Sequence, residues 1–96
     1  MTFKNGELIG VPCSIQPGPF PDERFIAAET AHGLLSGFAK QADLQVDDDG
    51  ENGLVKGIVL DAGKDSVTVR LFGSFFATAL GIASVRPSGL TRLAPQ

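Results

Sequence analysis

Glycine and proline divide this chain into short pieces. Its 96 residues include 12 glycines and 6 prolines, and most intervals between turn-forming residues are shorter than about ten residues. Intervals of this length suit strands joined by turns better than they suit helices. A chain of this size forms one domain, because much shorter pieces rarely fold without disulfides or metals. We therefore predict a single all-β, barrel-like domain over residues 1–96.

The cysteine content and the shortness of the apolar stretches indicate the cellular compartment in which the protein is located. Cys13 is the only cysteine, which excludes an internal disulfide and a zinc ribbon. Residues 1–7 lack the apolar run of a signal peptide, and Thr2 is incompatible with N-myristoylation. The longest uncharged stretch, Leu71 to Val85, is too short to span a bilayer. We expect a cytoplasmic protein with no membrane segment.

The first third of the chain predicts a strand, a loop and one ambiguous segment. Leu8–Ile15 is predicted to be a strand, and Pro12 places it at a sheet edge or a bulge because proline has no N–H to donate. Pro17–Pro21 contains three prolines and is predicted to be a loop. Residues 23–32 have the caps of a helix, yet they also form a strand that turns at Ala31–Gly33. We favour the strand, since the next segment has the pattern of its hairpin partner.

The clearest predicted element is a hairpin from Leu54 to Leu71. Asp61–Gly63 is interpreted as a three-residue turn with Gly63 in the left-handed conformation. This turn fixes three cross-strand pairs: Val59 with Asp65, Gly57 with Val67, and Val55 with Val69. The period of two then assigns five residues to the core, Val55, Val59, Val67, Val69 and Leu71. The opposite, half-solvated face carries Lys56, Thr68 and Arg70 among Leu54, Ile58, Leu60 and Ser66.

Two further segments resemble one another. Gly33–Lys40 and Gly53–Leu60 have similar residues at corresponding positions, and they are interpreted either as adjacent strands or as strands of convergent composition. The segment between Ser74 and Gly81 is compatible with a short helix capped by Ser74 or with a strand. These alternatives remain open from sequence.

The C-terminal part of the chain resembles the SH3-like small barrels. Ile82 begins a predicted strand, Arg86–Gly89 follows as a 3₁₀-like turn, and Leu90–Leu93 is a last short strand. A closing strand after one tight turn completes a five-stranded barrel in that superfold, and the resemblance covers residues 53–93. It implies a small barrel of roughly five to six strands, with an enlarged first loop or extra hairpin and room for one short helix. Such barrels have many functions, so the resemblance implies none.

No pattern of catalytic, cofactor-binding or metal-binding residues is complete. The run Asp47–Glu51 holds four of the eleven acidic residues, but an EF-hand loop placed on it has Gln45 and Lys56 at ligand positions. Gly57–Lys64 has the wrong spacing for a phosphate loop. Nothing in the sequence places His32 near Cys13, as a nucleophile pair requires. We predict no catalytic residue, cofactor or metal, and a solvated acidic loop.

A contact surface is the function that the sequence favours. Phe72, Phe75 and Phe76 lie too close together for all three to face inward in a strand. We predict a non-enzymatic interaction module whose apolar patch lies around Phe72–Leu80, with a protein partner or a second copy as ligand. Its candidate surface residues are Arg70, Phe72, Phe75, Phe76, Leu80 and Arg86.

Two other classes remain as alternatives. A weak nucleic-acid binder would use Arg70, Arg86 and Arg92 together with the phenylalanines, although the acidic loop repels phosphate. A small enzyme active only as an oligomer would need a pocket between subunits.

Overall fold

The structure is a computed structural model that describes residues 3–93. One antiparallel sheet makes up most of it. The sheet contains nine strands. Their bounds are β1 Leu8–Pro17, β2 Glu23–Thr30, β3 Gly33–Lys40, β4 Leu44–Val46, β5 Asn52–Ala62, β6 Val67–Leu71, β7 Ser74–Phe75, β8 Ile82–Val85 and β9 Thr91–Arg92. Two 3₁₀ turns lie at Gln41–Asp43 and Pro87–Gly89. The all-β prediction is confirmed, and six of the described strands have four or more residues.

The strand order is β7-β3-β2-β1-β5-β6-β8, with β4 added to β5 and β9 added to β1. The two central strands, β1 and β5, pair over Leu8–Ser14 and Asn52–Ile58. The sheet curls into a half-barrel. The curl brings the β2–β3 turn over the outer edge of β8, where the Ala31 N–H donates to the Ser84 carbonyl at 2.8 Å.

The core fills the concave side of the curled sheet. Alternate residues of the strands point into it, as the period of two requires. Among residues 3–93, the largest almost completely buried side chains are Ile9, Val11, Ile26, Val55, Val59, Val67, Val69 and Leu71. All five residues that the sequence assigns to the core face of the β5–β6 hairpin are buried.

The register predicted for that hairpin is wrong. Val59 pairs with Val69 and Gly57 with Leu71, because β5 continues to Ala62 and the turn spans the next four residues, 63–66. A bulge between Val59 and Asp61 moves the turn along the chain, and the φ of Gly63 lies outside the left-handed region. The core face was nevertheless predicted correctly, since the partner of Val59 moved by an even number of residues and an even shift preserves the face.

The expected edge position of Pro12 is wrong, and the alternative in which two similar segments are adjacent strands is excluded. Pro12 lies in a central strand, between Gly10, which pairs with β9, and Cys13, which pairs with β2. A proline fits there because it has no N–H to donate, and at this point along the edge of β1 the pairing with β9 has ended and the pairing with β2 has not begun. The similar segments Gly33–Lys40 and Gly53–Leu60 are not adjacent either, since β3 pairs with β2 and β7.

The ambiguous segments are strands. Residues 23–30 form β2, which pairs with β3 along its whole length and confirms the preferred alternative. Ser74–Phe75 forms the short strand β7, and the helical alternative for this segment is wrong. The predicted strand, 3₁₀ turn and closing strand of the C-terminal part are all present.

Gly37 allows β7 to lie against β3. A Cβ atom at this position would collide with the Ser74 carbonyl oxygen and would lie 2.7 Å from the Phe75 Cα. Both are backbone atoms of β7, so neither can move aside without separating the two strands. The absence of a side chain at Gly37 is therefore a condition for this strand pair.

Val69→Asp should unfold the protein, whereas Thr68→Asp should not. Val69 is 0% exposed, and an unpaired carboxylate there costs about 3–5 kcal/mol. Thr68 lies on the opposite face and is half-buried. Thermal melts followed by circular dichroism compare the two variants, and equal melting temperatures would contradict the assignment of faces.

Gly37→Ala should destabilise the protein by about 1–3 kcal/mol, since the added methyl group forces β7 away from β3. Gly89→Ala is the matched control, because the nearest atom to its new Cβ is Val85 Cγ1, at 3.5 Å, which is ordinary contact. Urea unfolding curves measure both changes. A loss of stability at Gly89 as large as that at Gly37 would show that steric contact with β7 is not the cause.

Candidate functional site

The three clustered phenylalanines have different environments. Phe75 is 8% exposed and belongs to the core, so it lies outside any exposed surface. Phe76 is 66% exposed, and Phe72 is half-buried. Neighbouring residues of an extended chain point to opposite sides, which explains why Phe75 is buried while Phe76 faces solvent.

Three other predicted surface residues, Arg70, Leu80 and Arg86, are exposed. Arg70 lies on β6, and Arg86 follows β8. Leu80 is 59% exposed in the loop between β7 and β8. Phe72 continues the register of β6, since its N–H donates to the Lys56 carbonyl at 2.9 Å. The β6–β8 loop then carries Phe76 away from this strand to β3.

Phe76 packs against two aromatic rings that sequence reasoning did not select. Its ring centroid lies 6.2 Å from that of Phe25 in a stacked arrangement and 5.5 Å from that of Phe38 in an edge contact. Phe25 and Phe38 also contact each other edge to face at 5.7 Å. Each of the three rings therefore contacts the other two. We call Phe25, Phe38 and Phe76 the aromatic patch.

Backbone pairing holds the aromatic patch in place. Phe25 and Phe38 are directly opposite each other in the β2–β3 hairpin. Ser74 pairs with Phe38 across β7 and β3, and the Phe76 N–H donates to the Ser36 carbonyl at 3.0 Å. Three segments distant in sequence thus present their rings on the convex face of the sheet.

The surroundings of the aromatic patch are uncharged at the centre and charged at both ends. Ala27 and Ser36 pair with each other on the same face as the rings, and Leu34 on that face is 70% exposed. At one end of the face Glu23 pairs with Lys40, and at the other Glu29 pairs with Leu34. An apolar centre bordered by polar residues is the usual composition of a contact surface.

A signal for Phe25 and Phe38 was present in the sequence. A tight turn at Ala31–His32 between the two predicted strands pairs Thr30 with Gly33. Counting back from that pair in an antiparallel register places Phe25 opposite Phe38. The contact with Phe76 had no such signal, because the two-residue strand β7 is too short to be recognised by periodicity.

The acidic loop is solvated, as predicted, and connects β4 to β5. The Asp49 carboxylate accepts hydrogen bonds from the Glu51 N–H at 2.8 Å and from the backbone and side chain of Asn52 at 3.0 and 2.9 Å. The Asn52 side-chain hydrogen bond and the two backbone hydrogen bonds lower the pKa of Asp49. Asp49 therefore stabilises the turn. Among residues 3–93, no group of three or more acidic, histidine or cysteine side chains could hold a metal ion.

Cys13 and His32 do not form a nucleophile pair. The Cys13 side chain is buried at 4% exposure, whereas His32 is exposed in the β2–β3 turn. Burial, together with the smaller effect of the negative charges of Asp47 and Glu29, raises the pKa of the Cys13 thiol to about 11. A thiol with this pKa is protonated at neutral pH and is a poor nucleophile.

The part of the chain that the structure describes contains no helix that could cross a membrane. Comparison of the chain with protein-family models, with curated proteins and with solved structures finds no match. The geometry of its own residues is therefore the basis for any proposal about its function.

Cys13 should not react with Ellman's reagent in the folded protein at neutral pH, and should react fully once urea unfolds the chain. The same raised pKa has a consequence for stability. The unfolded thiol loses its proton near pH 9, but the folded one keeps it to about pH 11, so the free energy of unfolding should fall as pH rises above about 9. Rapid reaction of the native protein at neutral pH would contradict the buried assignment.

Proposed function

We propose that this protein is a non-enzymatic interaction module that binds a protein partner, or a second copy of itself, through the aromatic patch. The observation that carries the proposal is Phe76, which is two-thirds exposed yet held by two ring contacts and a backbone hydrogen bond. A large apolar side chain exposed in one orientation is the feature expected of a binding anchor.

The aromatic patch suits binding because its side chains are already ordered. Immobilising a flexible side chain on binding costs about 0.5–1.5 kcal/mol. Phe76 has lost that freedom in the free protein through its contacts with Phe25 and Phe38. Most of the free energy from covering its ring is then available to the complex.

The size of the apolar surface indicates how the partner contacts it. A phenylalanine buries roughly 150–250 Å² when covered completely, so the exposed parts of Phe76 and Leu34 together offer roughly 200–300 Å². A stable interface buries about 800 Å² on each partner. The aromatic patch is therefore the centre of a larger contact, whose border would include the charged residues at both ends of the face.

We further propose that the fold is an SH3-like barrel. The meander β5-β6-β8, the 3₁₀ turn at Pro87–Gly89 and the pairing of β9 with β1 support this assignment. The β2–β3 hairpin would then be an insertion in the enlarged first loop. This insertion provides Phe25 and Phe38, so the contact surface would belong to the added hairpin rather than to the barrel common to the superfold.

Nucleic-acid binding is a weaker proposal for the aromatic patch. On β2 and β3, Lys40 is the one cation on the face of the rings, and it lies opposite Glu23 in the register. Binding to phosphates needs cations in larger number.

We also propose a cytoplasmic location, with which the single reduced thiol of Cys13 is compatible.

Phe76→Ser should abolish partner binding or self-association and leave the fold intact. Phe20→Ser is the matched control, because Phe20 is 62% exposed but takes no part in the ring contacts of residues 3–93. Sedimentation equilibrium measures self-association, and capture from native cell extract with each variant as bait measures partner binding. The loss of two ring contacts should cost only about 1–3 kcal/mol of stability.

One outcome of these experiments would contradict the proposed role of the aromatic patch. If the wild-type protein is monomeric at high concentration and the two variants capture the same proteins as the wild type, the aromatic patch is not a contact surface. Phe75→Ser provides a reference for core disruption, since this residue is buried and its replacement should unfold the protein.

A further inference from the structure

The outer face of β5 is more apolar than that of a strand exposed to water. Leu54, Ile58 and Leu60 occupy outward positions, with Lys56 between the first two. The inward positions of the same strand belong to the core. A strand that is apolar on both faces is typical of a sheet covered on both sides.

The apolar character continues across the neighbouring strands. Leu8, Ile58, Arg70 and Ile82 lie opposite one another on β1, β5, β6 and β8 and form one row across the sheet. Ile82 is 40% exposed, and Arg70 is exposed. We call the surface formed by Leu54, Lys56, Ile58, Arg70 and Ile82 the basic–apolar face.

The charge of the basic–apolar face is positive. Arg70 makes no hydrogen bond or ion pair with residues 3–93, and the Lys56 ammonium donates to the Ala42 carbonyl at 3.1 Å rather than to a carboxylate. Among the outward positions of β1, β5, β6 and β8, the one acidic residue is Asp61, opposite Thr68 at the far end of the sheet. Neither Arg70 nor Lys56 therefore forms an ion pair with a carboxylate of residues 3–93.

We propose that the basic–apolar face binds an extended acidic segment of a partner protein in which the residues that face the sheet, every second residue, are alternately carboxylates and apolar side chains. This inference goes beyond the proposed function, since it concerns a different part of the sheet from the aromatic patch. An extended segment presents alternate side chains to one side, at a spacing that matches the strands beneath it. Its carboxylates would pair with Arg70 and Lys56, and its apolar side chains would cover Ile58 and Ile82.

Charge and shape favour this occupant over others. A second copy stacked on the same face through a two-fold axis would place Arg70 and Lys56 against their own equivalents, and like charges repel. A nucleic acid would meet the cations but would find aliphatic side chains where bases need rings to stack on, apart from the half-buried Phe72.

The test is a titration with a fluorescein-labelled synthetic peptide in which glutamate and leucine alternate at every second position, with serine between them, followed by fluorescence anisotropy. The label supplies the signal, because the chain contains no tryptophan or tyrosine. The control peptide has lysine in place of glutamate. Arg70→Gln should weaken binding of the acidic peptide by about fivefold, and Ile82→Ser should also weaken it. Arg86→Gln is the matched control, since it removes the same charge from an exposed arginine outside the face.

The proposal predicts binding of the acidic peptide alone, a decrease with added salt, and sensitivity to Arg70 but not to Arg86. Equal effects of the two arginine variants would show non-specific attraction and overturn it. Binding of the lysine peptide with the same affinity, or displacement by oligothymidylate at lower concentration than by unlabelled peptide, would also overturn it. Phe76→Ser should leave binding of the acidic peptide unchanged. A failure of this proposal can therefore be distinguished from a failure of the contact role proposed for the aromatic patch.

Discussion

The pairing of β1 with β5 is the interaction on which the rest of the sheet depends. Over Leu8–Ser14 and Asn52–Ile58 these strands share one edge, and each uses its other edge for two different neighbours. β1 passes from β9 to β2, and β5 passes from β4 to β6. Every other strand is attached directly or through one of these neighbours, so a change that separates β1 from β5 would separate the two halves of the sheet.

Much of this architecture is predictable from sequence because short strands and turns have local signals. The positions of β1, β2, β3 and the C-terminal strands follow from alternation and from turn residues. Strand neighbours were harder to predict. The bulge after Val59 adds a residue that leaves no trace in the hydrophobic pattern, and the register of β5 and β6 depends on it. The position of Pro12 in a central strand depends on where β9 ends and β2 begins, which is a property of the assembled sheet.

The candidate site was predictable only in part for the same reason. Neighbouring phenylalanines at positions 75 and 76 imply that one ring faces outward, and the structure shows that it is Phe76. The partners of that ring lie on a hairpin far away in sequence. Phe25 and Phe38 can be paired from their turn, but nothing local indicates that the loop after β6 crosses to β3. The predicted group around Arg70 and Phe72 therefore differs in its members from the observed group, in which Phe76 contacts Phe25 and Phe38.

The short strand β7 has a consequence for the affinity of any ligand of the aromatic patch. Only Gly37 and Phe38 pair with it, so β7 has few hydrogen bonds to hold it against β3. Detachment of β7 would also take the Phe75 side chain out of the core, so the free energy of this local opening includes the loss of that burial. Whenever β7 detaches, Phe76 leaves its two neighbours and the proposed contact surface is lost. For a ligand of that surface, the apparent dissociation constant would equal the intrinsic one divided by the fraction of molecules with β7 attached, and a two-residue strand would then set the strength of binding.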